Sequence, residues 1–525
     1  MKAFLMFKDR DFDLGQPLPR QAKALSQDLE LDVLIGAMAG DDEFLERVCT
    51  KVVLGSVDDP ETILHRQHVL ADCLKNRDVV RQIYAIAVDS LDVEKHGQWA
   101  YFGREHPDGV LSRSVELLEG YLPLLLRLRQ IAEAHRGAFE SDGFGRLFNT
   151  LIEQLSDAYF AEIRGQLRSL KFRNGVLMSA GLGRGNKGAG FVLRRDPDTR
   201  PAWRKWLFGP HPQHFTFSVH PRDQAGWRNL EALRDRGIGL VASALGQSAD
   251  HVLSFFQMLR TELAFYVGCI NLDEHLSVLG EHVSFPVPMP AGSTALKTRG
   301  LYDVCLALSL GQKVVANDAD AGRRSLIVIT GANQGGKSTF LRSVGLAQLM
   351  MQSGMFVAAE SFTCDVRDGL FTHYKREEDS AMNSGKFDEE LARMNEIVNG
   401  LNGRSMILFN ESFAATNERE GSEIACQIVS ALLERGIKVV YVTHMYDLAH
   451  RLSRQKKEQA LFLRAERAAD GERSFKLVEG EPLPTAFGKD LYNRIFGEDA
   501  PADEDNHTGA GNGIETSLVA AGPSR

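Results

Sequence analysis

The period of hydrophobic and polar positions changes twice along this 525-residue chain. From about Ser26 to Leu170 apolar residues recur every three or four positions, the spacing of amphipathic helices. Leu31, Val33, Leu34 and Ile35 open this stretch. Asp58-Asp59-Pro60-Glu61 reads as a helix start, an Asp cap with Pro in the first turn, and Ile63, Leu64, Val69, Leu70 and Leu74 form the apolar face that follows. The spacing predicts a helix from Ser114 to about His135, kinked at Pro123, and another from Gly145 to Leu170. Between Lys171 and Arg222 short apolar runs flank a Gly-rich turn, the pattern of a β-hairpin with a long tip. Helical spacing returns over Gln224–Arg236 and across Ser248–Leu279. After Val283 the pattern becomes α/β, with compact apolar runs at Leu326–Thr330, Met406–Phe409 and Val439–Thr443.

The first of those runs leads into Gly331-Ala332-Asn333-Gln334-Gly335-Gly336-Lys337-Ser338-Thr339, which fits G-x-x-x-x-G-K-[ST] with a strand before it and a helix after it. Glycines let backbone N–H groups turn inward around an anion, and the helix N-terminus adds positive potential. Lys337 would reach the β- and γ-phosphates of ATP and the Ser338 hydroxyl would ligate Mg²⁺. The second run ends in Asn410-Glu411, where a buried strand delivers one residue to the metal and the next, Glu411, to the attacking water as general base. Asn410 stands where Asp is expected, and a neutral amide holds a cation less well than a carboxylate. The third run ends in His444, placed to sense the γ-phosphate. Ser384-Gly385, just before a helix predicted over Phe387–Asn399, offers a second anion-binding helix start, or simply a Ser cap with a Gly.

A composition of 43% hydrophobic and 25% charged residues is that of a chain that buries real cores. The net charge of −9 excludes a uniformly basic nucleic-acid binder but leaves local patches open. One such patch lies around the hairpin. Arg173, Arg184, Lys187, Arg194, Arg195, Arg204 and Lys205 face only Asp196, Asp198 and Asp223 as counter-charge, with Trp203, Trp206 and Trp227 interleaved. Cations alternating with aromatics fit a phosphate backbone, while the plainer reading is a solvated hairpin face. Gly183-x-Gly185-x-x-Gly188 is not a dinucleotide site, because a strand rather than a helix follows it. Six scattered cysteines without C-x-x-C spacing read as thiols in a reducing compartment. The opening MKAFLMFKDRDFD is too short and too charged for a signal peptide, and no uncharged run reaches membrane-spanning length, so the expectation is a cytoplasmic protein with no membrane partner.

The order GANQGGKST, SGKF, NESFAATNEREG, THMYDL resembles the MutS branch of the ABC-type ATPases, together with GMFVAAE (Gly354–Glu360) and EGEPLPTAFGKDLYNRIFG (Glu479–Gly497). The resemblance covers roughly residues 30 to 497 and is strongest from about 313 to 490. It implies an α/β ABC-type P-loop ATPase domain (283–497) preceded by an all-α lever domain (26–170 and 223–282), itself interrupted by a small β-rich clamp-like insertion (171–222). Residues 1–25 form an N-terminal segment, and the Gly/Pro/Asp-rich 498–525 a disordered tail. It further implies ATP and Mg²⁺ as cofactors, DNA-dependent ATP hydrolysis, mismatched or branched DNA as partner, and a homodimer in which Ser384 and Gly385 reach the nucleotide of the opposite subunit. VVANDAD (Val314–Asp320) is similar to the family's base pocket, which brings in Asn317, while Val314 stands where an aromatic that stacks on adenine is expected. The sequence departs from the family in Asn410, in a short signature segment, in a short clamp, and in having no mixed α/β mismatch-reading module ahead of the helices. A nucleotide-binding scaffold with little hydrolysis is the alternative that Asn410 keeps open.

Overall fold

A computed structural model of the chain describes residues 1–100, 106–172, 175–194, 218–331, 334–375, 385–467 and 473–483. The helical half comprises α1 (Ala22–Asp28), α2 (Leu31–Ala39), α3 (Glu43–Leu54), α4 (Pro60–Lys75), α5 (Arg77–Ala100), α6 (Pro107–His135), α7 (Asp142–Gln154), α8 (Asp157–Leu170) and α9 (Gln224–Val278). Helix α4 starts as its sequence predicts, with Pro60 in the first turn and the Asp59 carboxylate accepting the Glu61 and Thr62 N–H groups.

Three helix expectations are corrected. The predicted Gly145–Leu170 helix is two, because Ser156 caps a new start by accepting the Tyr159 N–H. The predicted helix at Ser114 begins at Pro107 and runs through Pro123. The two segments predicted around Gly237–Gly246 are one 55-residue helix, α9. Gly237 survives inside it because a Cβ there would fall 1.7 Å from the Met178 sulfur, so the glycine seats a side chain of the neighbouring hairpin. That hairpin pairs β1 (Met178–Leu182) antiparallel with β2 (Gly188–Leu193), and its tip is a five-residue turn rather than a long one.

The α/β half holds two sheets among the described residues. Strands β3 (Val287–Met289), β4 (Leu296–Leu301), β5 (Asn317–Gly322) and β7 (Ser361–Asp365) form one, in the order β3-β7-β4-β5. The other runs β12-β11-β6-β10-β9-β8, from β6 (Leu326–Thr330), β8 (Leu370–Tyr374), β9 (Met406–Asn410), β10 (Lys438–Val442), β11 (Ala460–Arg467) and β12 (Arg473–Glu479). Strands β8, β9, β10, β6 and β11 are mutually parallel and β12 returns antiparallel. All five residues of β6 and of β10 are buried, as a strand covered on both faces requires. The connecting helices are α10 (Val304–Leu310), α11 (Lys337–Ser353), α12 (Lys386–Gly400), α13 (Glu418–Glu434) and α14 (Tyr446–Gln455).

One buried core runs across both halves, from Leu34 and Phe265 to Leu341 and Met350. Polar ties reinforce it. Arg342 of α11 pairs with Glu30 and Asp303. At the far end of α11, Gln352 donates to the Val57 carbonyl at 3.0 Å, and the Arg66 guanidinium donates to Ser353 O at 3.1 Å and Met6 O at 3.0 Å. Residues 1–14 lie in the seam. Their backbone is held by α9, where Tyr266 donates to Leu5 O at 2.7 Å and the buried Glu262 carboxylate accepts N–H groups from Leu5, Met6 and Phe12.

Candidate functional site

The parallel order of β6, β10 and β9 brings three sequence-distant segments to one edge. Strand β6 delivers the loop that ends in α11, β9 delivers Asn410 and Glu411, and β10 delivers Thr443 and His444. In the loop Gly331 (φ 117°), Gln334 (φ 61°) and Gly336 (φ 86°) are in the left-handed region. At Gly331 and Gly336 a Cβ would also stand 2.9 Å from Ala465 N and 3.2 Å from Phe475 O, so these two positions need glycine twice over. Lys337 is buried and donates to Gly331 O at 2.9 Å, folding its ammonium back over the loop. Burial pushes that ammonium's pKa down, and Glu411 opposes the shift.

Ser338 Oγ donates to Asn410 Oδ1 at 2.9 Å. The two residues assigned to the metal from sequence are thus in contact across 72 positions of chain. Glu411 takes a left-handed backbone (φ 53°), with its N–H on Val442 O at 2.9 Å. His444 Nδ1 stands 3.8 Å from Glu411 Oε1, an ion-pair rather than a hydrogen-bond distance. That His444 neighbour holds the Glu411 carboxyl below the usual range against the effect of burial, with Lys337 and Lys375 assisting. Glu411 is therefore ionised and available as a base.

This arrangement fits a triphosphate and Mg²⁺. A buried cation sits above a loop of left-handed glycines at a helix N-terminus, and a hydroxyl and an amide oxygen point at one another beside it. Among the described residues no group of three or more His, Cys, Asp or Glu side chains is placed to hold a metal ion.

Gly331, Gln334, Gly335, Gly336, Lys337, Ser338, Thr339, Asn410, Glu411 and His444 are brought to one place. Ala332, Asn333 and Ser384 lie outside the described residues. Gly385 is the N-cap of α12 without a side-chain cap bond. Asn317, expected at the base pocket, has an amide that donates to Phe475 O at 3.2 Å and accepts the Leu477 N–H at 2.7 Å, which fastens β5 to β12. Phe475, which no sequence pattern singles out, is left-handed (φ 55°), 45% exposed and adjacent to Gly336.

On the hairpin, Arg184, Lys187 and Arg194 are exposed, and Arg194 Nε donates to Ser179 Oγ at 2.8 Å. Arg173, Arg195, Arg204 and Lys205 lie outside the described residues. Beside the hairpin, Lys171 pairs with Glu119 of α6 at 2.7 Å. Among the described residues no helix is long and apolar enough to cross a membrane.

Comparison with known proteins adds two family models. Residues 58–279 match the MutS2 N-terminal domain and residues 327–489 match MutS domain V. Among curated proteins the chain is similar to the DNA mismatch repair protein MutS of Lactococcus lactis, 28% identical over 251 residues, 45% of this chain and 30% of that protein. It is 35% identical over 126 residues to Endonuclease MutS2 of Thermus thermophilus, 24% of this chain and 17% of that protein. MutS protein homolog 4 of Mus musculus is 29% identical over 211 residues, 40% of this chain and 21% of that protein. The chain thus spans less than a third of the length of these relatives.

Proposed function

We propose, from the premise that the chain is a MutS-like protein in both its helical and its ATPase-type half, that it is an ATP-dependent DNA-binding ATPase of repair or recombination. In this reading it binds mismatched or branched DNA as a homodimeric clamp gated by ATP. The observation that carries the proposal is the convergence of Lys337, the Ser338–Asn410 pair and the Glu411–His444 pair at the ends of three adjacent parallel strands. Lys337 binds the β- and γ-phosphates. Ser338 and Asn410 would hold Mg²⁺, which would supply charge neutralisation at those phosphates. Glu411 accepts the proton of the attacking water and His444 orients it. Gly385, the N-cap of α12, and its sequence neighbour Ser384 contact the nucleotide of the second subunit. The exposed Arg184, Lys187 and Arg194, with Arg173, Arg195, Arg204 and Lys205, contact the DNA backbone, which reads shape and charge rather than sequence.

The test is ATP turnover measured with and without branched DNA. Stimulation by DNA and a loss on Glu411→Gln of about 100-fold or more support the proposal, because general-base catalysis is worth that much. A second reading, a nucleotide-dependent scaffold with little hydrolysis, is favoured by Asn410 alone. Turnover absent in the natural chain and restored by Asn410→Asp would establish that reading and remove the first.

A further inference from the structure

Behind Glu411 lies a buried polar network. Glu411 and Phe413 are both left-handed (φ 53° and 64°), and Ser412 between them is fully buried. Non-glycine residues keep such conformations only where their surroundings over-determine them. Here three elements do so. From β8, the buried His373 ring places Nδ1 2.7 Å from Ser412 Oγ, which also lies 2.5 Å from His373 O. From β10, Tyr441 donates to Ser412 O at 2.8 Å. From α12, Glu390 O accepts from His373 Nε2 at 3.0 Å, while the Glu390 carboxylate accepts the Phe413 N–H. The His373 ring also stacks on Phe413, centroids 5.2 Å apart and 16° from parallel.

The proton count is informative. A carbonyl only accepts, so Nε2 donates to Glu390 O and the Ser412 hydroxyl donates its one proton to His373 O, which sets the Ser412 oxygen beside Nδ1. The ring orientation and the Ser412 rotamer therefore fix each other.

We propose that His373 and Ser412 are a positioning pair for Glu411. The pair sets the backbone from which the Glu411 carboxylate points, and Glu390 ties that setting to the seating of α12. The inference rests on the reading of Glu411 as the base. Because α12 begins at Gly385, a shift at the start of that helix is passed to the base through the network without either end touching the other.

The test separates the two ring nitrogens in the full chain. His373→Phe keeps the stack on Phe413 and removes both bonds; kcat is expected to fall about 10- to 100-fold, the size of effect that a misplacement of order 1 Å produces. KM and the Kd of a fluorescent ATP analogue are expected to stay within about twofold. His373→Asn, whose amide reaches the Nδ1 position, recovers most of the kcat, and His373→Gln, which reaches only the Nε2 position, does not. Ser412→Ala reproduces the loss, and the double variant is no slower than His373→Phe, because the contact between Ser412 Oγ and the ring is already absent from each single variant. Unchanged kcat in His373→Phe overturns the proposal, as does equal recovery by Asn and Gln. Should His373→Phe fail to fold, Ser412→Ala at natural kcat overturns it alone. Unaffected variants of an active chain sink only this inference, whereas an inactive natural chain sinks the hydrolysis reading with it.

Discussion

Glu262 gives the most quantitative prediction. It is fully buried in α9, and its Oε2 accepts N–H from Leu5 at 2.7 Å and Met6 at 3.4 Å, while Oε1 accepts from Phe12 at 3.1 Å. Burial pushes the carboxyl from 4.5 up to about 7; the bonds from Leu5, Phe12 and Met6 only partly oppose it, and Asp11 adds to it. The folded chain holds this proton to higher pH than the open one, so its contribution is complete below pH 4.5 and is lost as pH rises through about 7. At about 1.36 kcal/mol per pH unit, that gap corresponds to about 3 kcal/mol. Release of residues 1–14 from the seam exposes Glu262 to water, so the loss acts on that local opening. The assay is hydrogen exchange of the 1–14 segment, corrected for the intrinsic pH dependence of exchange. Protection is expected to fall about 100-fold between pH 5 and pH 8 in the natural chain. It should be flat in Glu262→Gln, which has nothing to titrate. Protection that is constant or rises in the natural chain, or a slope that survives in Glu262→Gln, refutes the reasoning.

Gly331→Ala forces a Cβ to 2.9 Å from Ala465 N at φ 117°. Left-handed strain of about 1–2 kcal/mol alone predicts about tenfold or more weaker binding of a fluorescent ATP analogue. Reversing Arg194, Arg195, Arg204 and Lys205 to Glu should weaken binding to a DNA junction and flatten its salt dependence, by about 0.9 in log–log slope for each phosphate that is no longer neutralised. A gel-shift series over homoduplex, mismatch, fork and four-way junction DNA reads both the weakening and the preference. Unchanged binding would remove the hairpin from the DNA interface.

Periodicity identified the two halves and their order, because a strand buried on both faces reads as an unbroken apolar run, as at Leu326–Thr330, and an amphipathic helix as a 3.6 repeat. It failed where tertiary contact overrules local propensity. The glycines at 237, 239 and 246 look like a helix break, yet Gly237 is filled by Met178 of the hairpin, and nothing in the local sequence encodes that partner. Helix α5 (Arg77–Ala100) carries the same repeat in Val80, Ile83 and Ala87, whereas its ion pairs, such as Arg81 with Glu274, are supplied only by the fold. At the site, Lys337, Ser338 and Glu411 stand in a linear pattern whose spacing is the chemistry. Phe475, His373 and Ser412 do not. Each matters through a neighbour more than thirty positions away, Gly336 for Phe475 and each other for the pair, so no window of sequence contains the relation.

The continuity of α9 has a mechanical consequence. At about 1.5 Å per residue its 55 residues make a rod of about 80 Å. Most of its buried side chains fall between Phe255 and Leu276, whereas Trp227, Leu230, Leu233 and Leu240 near the other end are exposed. The rod is therefore most deeply embedded from Phe255 to its end, nearly half its length, and is held more sparsely over the about 45 Å back to Gln224, by Ile238, Ala242, Ala249 and the Arg234–Asp108 pair. Pivoting the embedded part by about 3° would swing the Gln224 end by over 2 Å, close to the width of a hydrogen-bonding contact. Small repacking around Glu262 and Tyr266 would thereby be magnified into displacement at the hairpin, to an extent set by the bending stiffness of the rod together with the contacts along it.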